Sequence, residues 1–143
     1  MASIGITAYA IGIQNRVENQ SYLLNSLNNA GFIQMYNDFI DENSNKYENN
    51  QKFEKVFKFE DCKIQEHSNN NMPVFNYIVG KIKTGSYGYE SEIINTITGN
   101  IEYNKNMEDA EVMPFFFILA VPVGDVERGV IILQSHGIFG IKT

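Results

Sequence analysis

The chain has no tryptophan, one cysteine, two histidines and three prolines in 143 residues. A lone cysteine, Cys62, cannot close an intramolecular disulfide. With only two histidines beside it, the four-ligand zinc patterns are excluded as well. Such thiol usage is compatible with a reducing, cytoplasmic setting. Basic residues are scarce: 11 Lys and Arg against 17 Asp and Glu leave a formal net charge of −6. Domains that grip a duplex carry an excess of Lys and Arg on one face, so whole-chain charge disfavours nucleic acid and leaves only a local basic patch open. Long hydrophobic runs are missing too. The longest, Met113 to Val123, is too short to cross a bilayer as a helix. The apolar start, Met1 to Ala10, has no Lys or Arg ahead of it, and Arg16 lies on the wrong side for a secretory signal. No membrane partner is expected.

What is present points to sheet. Ten Phe and eight Tyr favour pleated surfaces, and the chain length suits a single domain, 1–143, with a substantial core. The most apolar stretch runs from Pro114 to Thr143. Pro114–Val123 and Val130–Ile141 flank the polar turn Gly124-Asp125-Val126-Glu127-Arg128-Gly129, which predicts a closing hairpin with Pro122 at a strand end. Both alternations of these strands are apolar. One face should meet helices, and the other needs a second cover: more sheet, a second subunit or another domain.

Ile4–Ile13 is apolar on both alternations and reads as a strand with cover on each side. Val17, Leu23, Leu24, Leu27 and Ala30 approximate a helical stripe, with Asn15 as N-cap and Gly31 just past its end. Phe32 to Ile40, spaced by threes and fours, predicts a second helix reaching Asp41, against a short strand at 32–36. A polar loop covers Asp41–Lys52, a strand Phe53–Ile64, a second polar loop His67–Asn71, and a further strand Val74–Lys83. Gly99-Asn100 between two apolar runs marks a hairpin. The predicted fold class is α+β: an antiparallel, meander-like sheet of about six to seven strands, with one or two N-terminal helices covering one face.

Chemistry is sparse. Gly80-Lys81-Ile82-Lys83-Thr84-Gly85 lacks the glycine and the hydroxyl residue of a phosphate loop, since those places hold Phe75 and Ile82. Lys81 and Lys83 followed by Tyr87 and Tyr89 around two glycines form the best binding candidate, a nucleotide or single-stranded nucleic-acid site by stacking and phosphate charge. The plainer alternative is a turn whose tyrosines pack on the sheet. Asp61-Cys62-Lys63 matches half of a metal-dependent nuclease pattern, with Asp38, Asp41 and Glu42 as upstream carboxylates; a charged strand end explains it as well. Asp38–Glu42 and Glu108–Glu111 lack EF-hand spacing. Ser135 and His136 are strand neighbours and point to opposite faces. No catalytic set, metal site or cofactor is implied.

Three function classes follow. The first is a non-enzymatic binding or assembly module with a protein partner or self-association, a homodimer included. The second is the nucleotide or single-strand binder, and the third a metal-dependent hydrolase around Asp61 and Lys63. Asn-, Ile- and Lys-leaning usage suits an AT-rich bacterial or phage genome. The apolar residues 137–143 predict a domain that opens a longer protein.

Overall fold

The structure is a computed structural model that describes residues 3–27, 30–137 and 139–140. The expectation placed on the chain end at 141–143 lies outside the described residues. In chain order the elements are β1 (Ile4–Ile11), β2 (Gln14–Asn15), β3 (Gln20–Ser21), α1 (Phe32–Glu42), β4 (Glu48–Asn50), β5 (Lys55–Asn69), β6 (Met72–Ser86), β7 (Ser91–Ile94), β8 (Ile101–Lys105), β9 (Glu111–Pro122), β10 (Gly129–His136) and β11 (Phe139–Gly140).

The main sheet is antiparallel and runs β1-β10-β9-β6-β5-β4, with β11 also on β10. β5 and β6 are fifteen residues each and form the longest ladder, and β6 pairs with β9 from Phe75↔Pro122 to Ser86↔Glu111. β1 runs against β10 over its whole length, Ile4↔His136 to Ile11↔Gly129. Sheet-rich antiparallel architecture is therefore correct. The meander is interrupted, because β1 pairs with β10 at the far end of the chain and β7–β8 leave the sheet as a separate two-stranded ribbon.

Helix content is also lower than expected. α1 matches the second predicted helix, but residues 17–27 hold no helix. Asn15 does accept the N–H groups of Val17 and Glu18, as an N-cap would. The chain then reverses through Asn19 at φ 52°, and β2 and β3 pair across a tight turn. Asn and Asp stabilise such turns with the hydrogen bonds they use at caps, so the signal has two outcomes. Leu24 reaches the core from an irregular segment. Its N–H donates to Val126 O, and Asn25 Nδ2 donates to the Pro122 and Gly124 carbonyls at 2.8 and 2.7 Å. Gly31, expected to end a helix, stands at the N-cap of α1.

Two turns also differ. The polar stretch 67–71 is mostly strand: β5 continues to Asn69, and Asn70 and Asn71, both at positive φ, form a two-residue hairpin turn. This is the geometry that matches strand twist, and asparagine tolerates it. The ribbon's tip is longer than the Gly99-Asn100 pair. Asn95 N–H donates to Asn100 O, and Asn95 Oδ1 accepts from Ile97 and Thr98, so four residues form the loop.

The core lies on one face of the sheet. Ile33 and Ile40 of α1, with Leu24, pack on Phe59, Ile78, Ile82, Phe117, Leu119, Val121 and Leu133. Phe117 and Phe59 meet edge to face at 5.8 Å, and Tyr36 and Phe39 extend the aromatic cluster. The paired residues Ile82↔Phe115, Ile78↔Leu119 and Phe117↔Leu133 must share a face, which puts the odd residues of β9 under the helix.

Candidate functional site

Because successive strand residues alternate, the even residues of β9 form the opposite face. Pro114, Phe116, Ile118, Ala120 and Pro122 stand there beside Phe75, Tyr77, Val79, Lys81 and Lys83 of β6. Across β10 come Val130, Ile132 and Gln134, and across β1 come Ile4, Ile6, Ala8 and Ala10. No described element covers this face. Ile6 is 74% exposed, Ile4 63% and Phe116 58%. Ile4, Ile6, Phe116, Ile118, Ile132 and Gln134 line a shallow depression of about 240 Å³. Gln134 holds its rim by accepting the Phe116 N–H at 2.9 Å.

β1 differs from its expectation accordingly. It is an edge strand with both faces largely exposed, Tyr9 included, since only β10 pairs with it. The opposite edge, β4, is three polar residues long, a common protection against edge pairing.

A charged strip borders the apolar band. On the open face of β5 stand Lys58 and Glu60, then Lys63 beyond a bulge. Asp61 occupies that bulge at φ 53°. Lys83 Nζ pairs with Glu60 at 3.0 Å and Lys81 Nζ with Asp61 at 3.4 Å. The Glu60 carboxylate raises the Lys83 pKa above the usual lysine value. Lys81 also lies 5.6 Å from the centre of the Phe116 ring, and Lys58 5.5 Å from that of Tyr47.

The structure does not bring the four residues of the sequence-predicted site together as one cluster. Lys81 and Lys83 lie on the open face with carboxylate partners. Tyr87 follows the end of β6 and donates its hydroxyl proton to Asn49 Oδ1 at 2.7 Å. Tyr89 stacks with Lys105, whose buried ammonium sits 3.7 Å from the ring centre and donates to the Tyr89 carbonyl at 2.6 Å. The glycines serve the backbone: at Gly85 a side chain would overlap the Glu111 carbonyl.

Asp61 has Lys81 as its partner, and among the described residues no three His, Cys, Asp or Glu side chains gather closely enough to hold an ion. Burial pushes the Cys62 thiol pKa up, which lowers its thiolate fraction and its reactivity. His67 stacks on Phe75 at 4.8 Å. Ser135 and His136 oppose Gly5 and Ile4 respectively, on opposite faces of the sheet.

At the base of the ribbon, Tyr103 donates its hydroxyl proton to Asp109 Oδ2 at 2.7 Å, and the Asn106 N–H donates to the same oxygen at 2.9 Å. The Tyr103 hydrogen bond holds the Asp109 pKa below the ordinary carboxylate value, and Asp109 raises that of Tyr103. The contact is thus fully present above the ordinary carboxylate pKa and lost as pH falls through the lowered one. At the alkaline end it is lost as pH rises through the raised tyrosine value. NMR titration should find Asp109 below 3.8 in the parent chain and nearer that value in Tyr103→Phe. An Asp109 titration unmoved by the substitution would refute the contact.

The sequence did hold a signal for the open face, in the two apolar alternations of 114–123 and of 4–13, but no single residue in it looks chemical. Among the described residues, no helix is long and apolar enough to cross a membrane. No protein-family model, curated protein or solved structure matches this chain.

Proposed function

We propose that this domain is a non-enzymatic binding and assembly module that works through the open face of its sheet. The observation that carries the reading is the exposure of Ile4, Ile6 and Phe116 in one contiguous band around a depression. Scattered exposed apolar residues are ordinary, whereas a contiguous patch rimmed by charge is the usual appearance of a protein contact. The rim is present here in Lys58, Glu60, Asp61, Lys81 and Lys83. Such an interface excludes water at its apolar centre and orients its partner through the polar edge.

The nucleotide and nucleic-acid reading is the weaker proposal. Lys81 and Lys83 are paired with Asp61 and Glu60, and Tyr87 and Tyr89 are engaged by Asn49 and Lys105. For the hydrolase reading, no further carboxylates gather with Asp61 closely enough to hold an ion among the described residues.

A photoreactive side chain at position 116 tests the proposal in the native host. It is expected to crosslink to protein far more strongly than the same group at Val17, which is 95% exposed but lies in the β2–β3 turn. Equal crosslinking at the two positions would remove the case for the open face.

A further inference from the structure

The open face is not alone among the described residues in leaving apolar side chains exposed. The β7–β8 ribbon does so too, and its strands pair only with each other. A lone two-stranded ribbon is marginal in water, and this one exposes much of Ile93, Ile94 and Ile101, with Ile97 at its tip 92% exposed. Ile93 opposes Tyr103 and Ile94 opposes Ile101, on either side of a register shift, so apolar side chains stand on both faces of the ribbon.

Charge separates the ways in which two copies can cover these surfaces. Residues 90–111 contain six carboxylates and one lysine, and that lysine, Lys105, is buried. The open face is bordered by Lys58, Lys63, Lys81 and Lys83 against Glu60 and Asp61. Face on face sets two lysine-rich strips together. Ribbon on ribbon sets two carboxylate-rich arms together. Ribbon on face alone brings unlike charges into proximity, and such complementarity steers encounter and fixes register.

We infer that the β7–β8 ribbon of one copy docks on the open face of a second copy, around Ile6, Phe116 and Ile118, and that the contact is reciprocal about a two-fold axis. This rests on the reading of the open face as the binding surface and names its occupant. An isologous pair contains the contact twice. A stable pair buries about 1,600 Å² in all, so each ribbon and each face supplies only about 400 Å², the size of an ordinary surface patch. The depression beside Ile4 and Phe116, about 240 Å³, has room for an isoleucine side chain of the incoming ribbon.

Sedimentation velocity on the full chain tests the inference with two double variants and their mixture. Ile93→Asp with Ile101→Asp disables the ribbon, and Phe116→Asp with Ile118→Asp disables the face. The parent chain is expected to dimerise, and each variant alone to do so at least about thirtyfold more weakly. Mixing the two should restore a heterodimer held by the one intact ribbon-to-face contact. Salt raised from about 0.05 to about 0.5 M should weaken the parent dimer. Ile97→Asp, at an exposed tip, supplies a second ribbon variant should the first misfold. A parent chain that stays monomeric, or a mixture that does, overturns the inference. So does a ribbon variant that dimerises normally; if the face variant alone then fails to dimerise, the open face stands and only its occupant is wrong. Normal dimerisation of both variants, as edge pairing through β1 would give, also overturns it, and crosslinking at 116 then judges the open face separately.

Discussion

Phe117→Ala is expected to cost about 4 kcal/mol of stability, whereas Phe116→Ala, one residue earlier, costs less than about 1 kcal/mol. The two phenylalanines are chemically identical neighbours in β9, and the pleat sends them to opposite faces. Phe117 is 1% exposed and packs against Phe59 under α1. Removing its ring leaves a cavity that the long β5–β6–β9 ladders prevent from closing. Domains of this size are stable by roughly 5–15 kcal/mol, so the variant forfeits a large share of the total. Phe116 is more than half exposed and loses little on truncation. Urea unfolding at a concentration low enough to keep the chain monomeric checks both variants, with midpoints shifting and slopes unchanged. Equal losses would mean that the faces of β9 are assigned wrongly.

The second large effect is at Gly85. In β6 it pairs with Val56 on one side and Val112 on the other, and a Cβ there would overlap the Glu111 carbonyl. A backbone oxygen cannot swing aside as a side chain can, so Gly85→Ala must separate β6 from β9 where the ribbon departs. The expected cost is about 3 kcal/mol. Gly99 offers the contrast, since nothing lies within 4 Å of where a side chain would begin and only its φ of 73° opposes substitution. Asparagine tolerates that conformation, so Gly99→Asn should be nearly neutral, whereas Gly85→Asn should lose at least as much as Gly85→Ala. Thermal unfolding separates the two mechanisms: if asparagine rescues Gly85, the constraint there is conformational and not steric.

These residues show where reading the sequence succeeds. Val74–Lys83 and Pro114–Val123 read as strands from short apolar runs bounded by turn residues, and both are strands. The threes and fours of Phe32–Ile40 favoured a helix over a short strand, and α1 buries Ile33 and Ile40, which lie on one side of it. The turn at 124–129 was set by its glycines and charges. Each of these signals is local, and the surroundings agree with it.

Where a local signal had two outcomes, the surroundings chose. Asn15 can cap a helix or close a turn, and the chance to bury Leu24 beside Val126 selected the turn. Asparagines 69–71 looked like loop, but pairing with β6 extended β5 to Asn69, because inter-strand hydrogen bonds outweigh weak strand propensity. The binding candidate had the same difficulty. Lys81, Lys83, Tyr87 and Tyr89 are neighbours in sequence, yet partners distant in sequence determine their chemistry: Asp61, Glu60, Asn49 and Lys105.

By itself, then, the sequence determined a sheet-rich chain whose strands near its end are apolar on both alternations, because composition and period are properties of the string. Only the tertiary structure decided which alternation was buried. One helix and one loop are enough to cover the odd side of β9. The even side, joined by β1 from the far end of the chain, is left in the open beside its lysines. Coverage depends on how many elements pack on a face, a non-local quantity that no window of residues contains.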